Sequence, residues 1–339
     1  MKNKLSLFSK SSSKHLKLKQ DFFNSNSSLL KDIIKTNRKL SKQKKRLCCK
    51  VCGASLGKKI FKSHLIEYTE CTKCGHLNSL NEDTVTFSNY LYNSNKGKNY
   101  SKNYLKVYDL RVKNIYVPKV KFLIKVMNKQ NVKKYSVTDV GSGAGHFLKA
   151  LEQKKIKGIG YEPSQTLVTV GKKKLKLNEI NNTKMSDFAK IILNAKTNVI
   201  SMIGVLEHLN DPDLALRSFQ KSKAKYLYIL IPHLSFSTLL ENANQSVFPR
   251  SLGGGHTHLY SNKSINYMAK KYKLSIIGEW WFGTDMMDLY RHLLVLCDQS
   301  KKMKLMIKKI FENQIDDLQK IMDTNKLCSE VHLIFKKKS

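Results

Sequence analysis

The sequence predicts an α/β protein with a mostly parallel sheet and a small cysteine-bearing module in front of it. Three observations predict it. A strand, a glycine-rich loop, a helix and a second strand follow one another over residues 135–162. Buried-type apolar runs then alternate with helical patterns as far as residue 336, and two Cys-x-x-Cys pairs precede the whole.

The first unit reads YSVTDVGSGAGHFLKALEQKKIKGIGYE. A β-branched run ends at Val140, Gly141, Gly143 and Gly145 follow, Phe147, Leu148 and Leu151 mark a helix, and residues 158–161 return to a strand. Glycines at this spacing let backbone N–H groups approach a ligand at the start of a helix. A dinucleotide-binding loop reads G-x-G-x-x-G; here the third glycine comes one residue early and His146 stands in its place. Asp139, at the strand's carboxyl end, would repel a pyrophosphate but suits a ligand with an ammonium group. Glu162, at the end of the next strand, is placed to accept hydrogen bonds from ribose hydroxyls.

This D-x-G-x-G-x-G pattern with an acidic strand end resembles the class I S-adenosylmethionine (SAM)-dependent methyltransferases, from about Tyr135 to the C-terminus. The resemblance implies a Rossmann-like, seven-stranded sheet ending in an antiparallel hairpin, and SAM as cofactor. Asp139, Gly141, Ser142, Gly143 and Gly145 would hold its amino acid end and Glu162 its ribose. It also implies an acid against the adenine amino group, for which Asp187 is the candidate, although an Asp there is also an ordinary helix N-cap.

Length allows one full α/β domain plus something smaller: 339 residues. The longest apolar run, residues 199–206, falls far short of the ~20 residues that span a bilayer. The first residues are basic without a signal-peptide core, so a cytoplasmic location is expected. The net charge of +37 invites a nucleic-acid partner, yet only six of 62 basic residues are Arg, the side chain suited to phosphate and base forks. Solvated surface and anionic partner both remain open readings. Oligomeric state cannot be read.

In chain order, residues 1–46 are Lys/Ser/Asn-rich and expected to be largely mobile, apart from one amphipathic helix carrying Phe22, Phe23, Leu29, Leu30, Ile33 and Ile34. Residues 47–86 hold Cys49-x-x-Cys52 and Cys71-x-x-Cys74, each pair followed by Gly, the spacing of a two-knuckle zinc ribbon. Four thiolates complete the coordination shell, so a structural Zn²⁺ is expected; unmetallated cysteines are the bland alternative. Cys48 is a spare thiol, and His64 and His76 are poor substitutes as ligands. Residues 87–130 form a helical linker or substrate cap in which Tyr90, Tyr92, Tyr100 and Tyr104 line a cleft or simply pack, and the helix from about Tyr104 to Met127 is interrupted by Pro118.

The methyltransferase domain is expected over 131–339. After a helix at 164–174 and a strand near 177–180, the strand 198–204 leads into V-L-E-H. The resemblance places Leu206 and Glu207 against the cofactor and His208 toward the substrate, as base candidate or as a structural histidine. Strands follow at 226–231, 274–279 and 330–336, with a helix over 302–322. Trp280, Trp281 and Phe282 read as core or as a sugar-stacking surface. In GGGHTHLYS, His256, His258 and Tyr260 alternate and would share one face if extended. In position this resembles the Y-x-E-H segment of sugar C-methyltransferases: Gly255 replaces the Tyr, Thr257 the Glu, and His258 keeps the His. Loss of the carboxylate leaves His258, with His208, as base for O-methyl transfer; a metal site from His256 and His258 is the rival reading.

Together these segments resemble stand-alone bacterial methyltransferases acting on nucleotide sugars or surface polysaccharide precursors. The alternatives are an RNA methyltransferase using the Lys-rich surface, though an N-P-P-Y motif is missing, and a zinc-ribbon binding protein with a relict fold.

Overall fold

Short alternating or apolar runs become strands wherever an adjacent element covers them. The computed structural model describes residues 4–13, 25–93, 107–297 and 299–338. Strand β1 (Leu5–Phe8) and helix α1 (Asn26–Leu40) come first, followed by β2 (Phe61–Ser63), β3 (Ile66–Glu70), β4 (Leu77–Ser79) and α2 (Val85–Asn93). A helical turn (Tyr108–Arg111) and a π turn (Val112–Tyr116) lead into α3 (Val117–Lys129). The expected interruption falls at Pro118: the π turn ends just before it, and the α-helix begins anew with the proline in its first turn, where no N–H is needed.

The main unit then runs β5 (Val137–Val140), α4 (His146–Glu152), β6 (Gly158–Glu162), α5 (Gln165–Lys174), β7 (Glu179–Asn182), α6 (Phe188–Leu193), β8 (Val199–Ile203), α7 (Pro212–Lys221), β9 (Tyr226–Pro232) and α8 (Phe236–Ala243). It ends with β10 (His258–Leu259), α9 (Asn262–Lys271), β11 (Leu274–Phe282), α10 (Asp285–Leu296), α11 (Lys301–Thr324) and β12 (Glu330–Lys337). The large sheet has the order β1-β11-β12-β9-β8-β5-β6-β7, with β12 antiparallel to both its neighbours and the remaining pairs parallel. The chain builds outward from β5 to β7 and then returns beside β5 as β8. That reversal opens a crevice at the carboxyl ends of β5 and β8, where ligands of open α/β sheets bind.

Alternation along the strands fills both faces. Val140, Ile200, Met202, Ile229 and Leu333 pack with Phe219 of α7, Met268 of α9 and the cysteine-bearing segment. Val137, Val199, Tyr228 and Ile334 pack with Phe122, Leu123 and Val126 of α3 and Phe147 of α4. Trp280, Trp281 and Phe282 lie within β11 and are buried in these cores.

Two differences from the sequence reading matter. The sheet has eight strands, because β1 adds itself parallel to β11, with Ser6 Oγ donating to Glu279 (2.9 Å) and Lys4 pairing with the same carboxylate (2.8 Å). A four-residue strand inside a Lys/Ser-rich segment shows too little alternation to be noticed, so the expectation of a largely mobile segment misses it. Second, β2, β3 and β4 form an antiparallel sheet whose fourth strand is β10, from far along the chain. The cysteine-bearing module is therefore stitched into the methyltransferase domain. Tyr100 and Tyr104 lie outside the described residues; Tyr90 packs in a cluster with Leu91, under the Lys39 ammonium (3.6 Å).

Candidate active site

The glycine loop joins β5 to α4 and is pressed from both sides. Gly141 has φ +71°, and a Cβ there would lie 2.5 Å from Cγ2 of Val205, in the turn after β8. The backbone of the cofactor loop thus packs directly against the Val205 side chain, which opens the V-L-E-H turn, across the crevice. Above Gly143 there is open space: nothing comes within 4 Å of where its Cβ would be. Glu162 reaches back under this space, accepting from Gly143 N–H (2.9 Å) and Ser164 N–H (2.9 Å), and burial raises its pKa. Ser142 Oγ is buried without a partner. A carboxylate at the loop and open space above Gly143 fit the ribose and amino acid end of SAM.

Asp139 lies at the end of β5 and accepts from Ser201 Oγ (2.6 Å); burial pushes its carboxyl up to about 7. His146, standing where a dinucleotide loop has its third glycine, is stacked on Tyr108 (4.1 Å) and Tyr116 (5.2 Å), so its role is to dock the loop on the segment before α3. Asp187 ends a short 3₁₀ turn after β7 and is exposed. Leu206 is buried beside the loop.

On the acceptor side, Glu207, His208 and His256 come together: each offers a donor atom, and these lie within 4.8 Å of one another. His208 Nε2 is 3.7 Å from Glu207 Oε1, and the His208 and His256 rings are nearly parallel at 5.3 Å. Glu207 Oε2 has no partner, and burial pushes this carboxyl up to about 8. Burial, reinforced by His256, holds His208 down at about 3. Glu207 and His208 line a narrow cleft with Phe87 and Ser88 of α2 and with Gly254, Gly255 and Thr257.

His256, His258 and Tyr260 do not share one face. Only residues 258 and 259 are extended, while His256 closes a tight turn onto the Gly253 carbonyl (3.1 Å). His258 and Tyr260 point into the interior: His258 Nδ1 is 2.8 Å from His76 Nε2, and burial drives the His258 ring well below its ordinary pKa. Burial likewise raises the Tyr260 phenol. Both residues stand behind the cleft wall, a placement that an alternation argument cannot foresee when two glycines break the strand.

The four thiols of Cys49, Cys52, Cys71 and Cys74 form a cluster, with Cys49–Cys74 and Cys52–Cys71 sulfurs 3.5 and 3.4 Å apart. A tetrahedral zinc shell has sulfur edges of ~3.8 Å, so the donors fit a metal with a slight expansion. Each knuckle is closed by a glycine N–H, Gly53 to the Cys49 carbonyl (2.9 Å) and Gly75 to the Cys71 carbonyl (2.7 Å). His64 is engaged elsewhere, with Ser63 and the Val247 carbonyl, and is not a fifth donor. The module grips the acceptor side at three places: His76 on His258, Lys50 Nζ on the Leu209 carbonyl (2.9 Å), and β4 on β10.

Sequence reasoning missed three contributors. Lys119 of α3 is buried, and burial followed by the nearby Lys10 lowers its pKa to about 7; Asp139 and Glu330 are the acids acting on it. Its signal was a lysine on the apolar stripe with Phe122, Leu123 and Val126. Asn37 of α1, in a segment expected to carry no function, accepts from Gly254 N–H (2.8 Å) and supports the glycine turn. His76 follows the second knuckle glycine and carries no sequence mark of its pairing.

A parallel sheet with this reversal, a D-x-G-x-G-x-G loop and an acid ending β6 defines a SAM-dependent methyltransferase (EC 2.1.1.-). Residues 108–278, half of the chain, match the model described as "Methyltransferase domain", and the chain belongs to that family. Similar solved structures include magnesium protoporphyrin IX methyltransferase from Synechocystis PCC 6803 with bound SAH (12% identity, 66% of this chain and 82% of that one, TM-score 0.44). Another is a SAM-dependent methyltransferase from Archaeoglobus fulgidus (17% identity, 63% and 93%, TM-score 0.39). No curated protein matches the chain significantly. Among the described residues, no helix is long and apolar enough to cross a membrane.

Glu162→Gln keeps the shape of the side chain and removes its charge. Hydrogen bonds to a charged partner contribute about 1.5–3 kcal/mol, so SAM affinity measured by calorimetry is expected to fall roughly tenfold to a hundredfold. Unchanged affinity would show that the ribose is held elsewhere.

Proposed function

We propose that the protein methylates a hydroxyl group of a sugar, carried on a nucleotide or a polysaccharide precursor. The observation that carries this reading is the acceptor cleft, where Glu207 Oε2 and Thr257 Oγ1 are buried without partners among the described residues, beside the mostly buried His208. Buried polar groups without partners favour an acceptor rich in hydroxyls. Thr257 standing where sugar C-methyltransferases have Glu favours oxygen over carbon as the acceptor atom.

SAM supplies a sulfonium methyl group for in-line displacement. The chain's contribution is to hold the acceptor oxygen in line, which supplies up to about 7–11 kcal/mol when the geometry is right, and to promote the loss of its proton beside the Glu207–His208–His256 group. His208 is the ring of this group that faces the cleft. His258, held by His76 behind the wall, positions the loop. We further propose a structural Zn²⁺ on the four cysteines, and the cytoplasm, where thiols stay reduced, as the compartment.

Asp139 makes cofactor binding depend on pH. With its carboxyl at about 7, it is neutral below that pH and anionic above it, and the anion attracts the cofactor's ammonium group. SAM affinity is expected to strengthen as pH rises from about 6 to about 8, and Asp139→Asn is expected to flatten the profile. A wild-type profile as flat as the variant's would remove Asp139 from the site.

The net charge of +37 favours one second reading, an RNA acceptor. A mass-spectrometric screen of nucleotide sugars, oligosaccharides and RNA for a SAM-dependent methyl gain separates the two. Methylated RNA with untouched sugars would overturn the carbohydrate reading.

A further inference from the structure

We propose that Glu207, His208 and His256 bind a divalent cation, and that this ion takes two adjacent hydroxyls of the acceptor, a vicinal diol. The inference deepens the carbohydrate reading and rests on it for the diol, while the ion site stands on its own geometry.

The donors come from two separate elements. Glu207 and His208 sit on the turn after β8, and His256 sits on the turn stabilised by Asn37. All three donor atoms lie within 4.8 Å of one another, and Glu207 Oε1 is 3.7 Å from His208 Nε2. Around an ion with bonds of ~2.1 Å, neighbouring donors stand roughly 3.0–3.4 Å apart, so closure draws the donors together by less than the length of one bond. One carboxylate and two imidazoles on one side of an ion form a facial set that leaves the opposite positions open.

The surroundings are those of a prepared ligand set. His256 Nδ1 lies 3.2 Å from the Arg250 carbonyl, which fixes the proton there and leaves Nε2 as the donor. Glu207 is 4% exposed, and its Oε2 is buried with no hydrogen-bond partner among the described residues. An unpartnered carboxylate oxygen costs free energy in a protein interior, and a cation at this place removes that cost. The expected His256–His258 pairing does not supply the site, since His258 is turned to His76.

The open side of the set faces the cleft between α2 and the glycine turn. Two hydroxyls on adjacent sugar carbons span neighbouring positions of such an ion. A hydroxyl so bound becomes more acidic. Its oxygen forms the new bond to the methyl carbon as the carbon–sulfur bond breaks, the bonding pair stays on sulfur, and the hydroxyl proton leaves to water at the cleft mouth.

The test is a Mn²⁺ titration of the full-length, zinc-loaded protein, with free Mn²⁺ followed by its paramagnetic resonance signal. Wild type is expected to hold one Mn²⁺, and Glu207→Gln and His256→Ala are each expected to lower its affinity by at least about tenfold, with zinc content and melting unchanged. His256→Ala lies in a half-exposed turn and keeps the test decisive if Glu207→Gln folds poorly. Wild type and both variants binding Mn²⁺ alike, or none binding it, overturns the site. Adding a sugar with a vicinal diol should alter the bound Mn²⁺ signal, whereas its monodeoxy analogue should not; identical responses overturn the diol. Mn²⁺ bound at this site by a protein that methylates no sugar leaves the ion standing and sinks the carbohydrate reading. Sugar methylation without Mn²⁺ binding does the reverse.

Discussion

Cys71→Ser is expected to yield a protein that carries no zinc and melts far below wild type. Cys71 is 1% exposed and its sulfur lies 3.4 Å from that of Cys52, so the serine oxygen would sit in a shell shaped for sulfur with no replacement ligand nearby. Four-thiolate zinc sites contribute roughly 10–16 kcal/mol to the folding of their modules at neutral pH, and a large share of that is lost. The damage extends to the active site. β4, which begins three residues after Cys74, carries β10 as its partner, and His76 holds His258. Zinc content by elemental analysis, thermal unfolding and SAM turnover are expected to fall together. A variant with full zinc and an unchanged melting curve would refute both the ligand assignment and the stitching of module to domain.

Gly141→Val is expected to abolish measurable SAM binding, while Gly143→Ala, two residues on, costs little. Both glycines have positive φ, +71° and +56°. An L side chain in that conformation costs about 1–2 kcal/mol. The difference lies in what the new atoms meet. At Gly141 the Cβ alone would be 2.5 Å from one methyl of Val205 and 3.3 Å from the other, before the two branches of valine are added. Val205 is buried on a turn that also carries Glu207 and His208, so relief must move either the cofactor loop or the acceptor wall. Overpacking of this kind costs about 1–3 kcal/mol beyond the backbone strain, and the combined ~2–5 kcal/mol corresponds to roughly thirtyfold to several-thousandfold in affinity. At Gly143 nothing lies within 4 Å, so alanine there carries the conformational cost alone. Calorimetric titration with SAM reads both; equal losses at the two positions would mean that contact with Val205 does not hold the loop in place.

The parts of this protein that were legible in the sequence are those with local causes. β5, α4 and β6 follow from apolar period and glycine punctuation, and Glu162 ends its strand where the pattern places it. The four cysteines converge because each Cys-x-x-Cys turn is a local device and the hairpin between them brings the two turns together. What could not be read depends on contacts between distant segments. The sequence offered His256, His258 and Tyr260 as one face, yet a turn at Gly253 and the attachment of β10 to β4 divide them between cleft and interior. Asn37 supports the glycine turn, and His76 holds His258, across 217 and 182 residues of chain. β1 is four residues long, and it pairs with a strand nearly the whole chain later. In α10, the three-residue spacing of Asp288 and Arg291 puts them on one helical side and they pair there (3.3 Å), whereas the second partner of the buried Asp288, Arg250 (2.9 Å), lies 38 residues earlier, where no periodicity indicates it.

The pairing of β4 with β10 also bears on how the chain is made. His258 is 182 residues beyond His76, so the ribosome releases the whole knuckle segment long before its fourth strand exists. During that interval β4 presents an unpaired edge, which invites association with other nascent chains. Early capture of the metal by the four thiols would hold the hairpin in shape until the late strand arrives. Synthesis under metal scarcity should therefore give aggregates, and a later supply of zinc should fail to recover them.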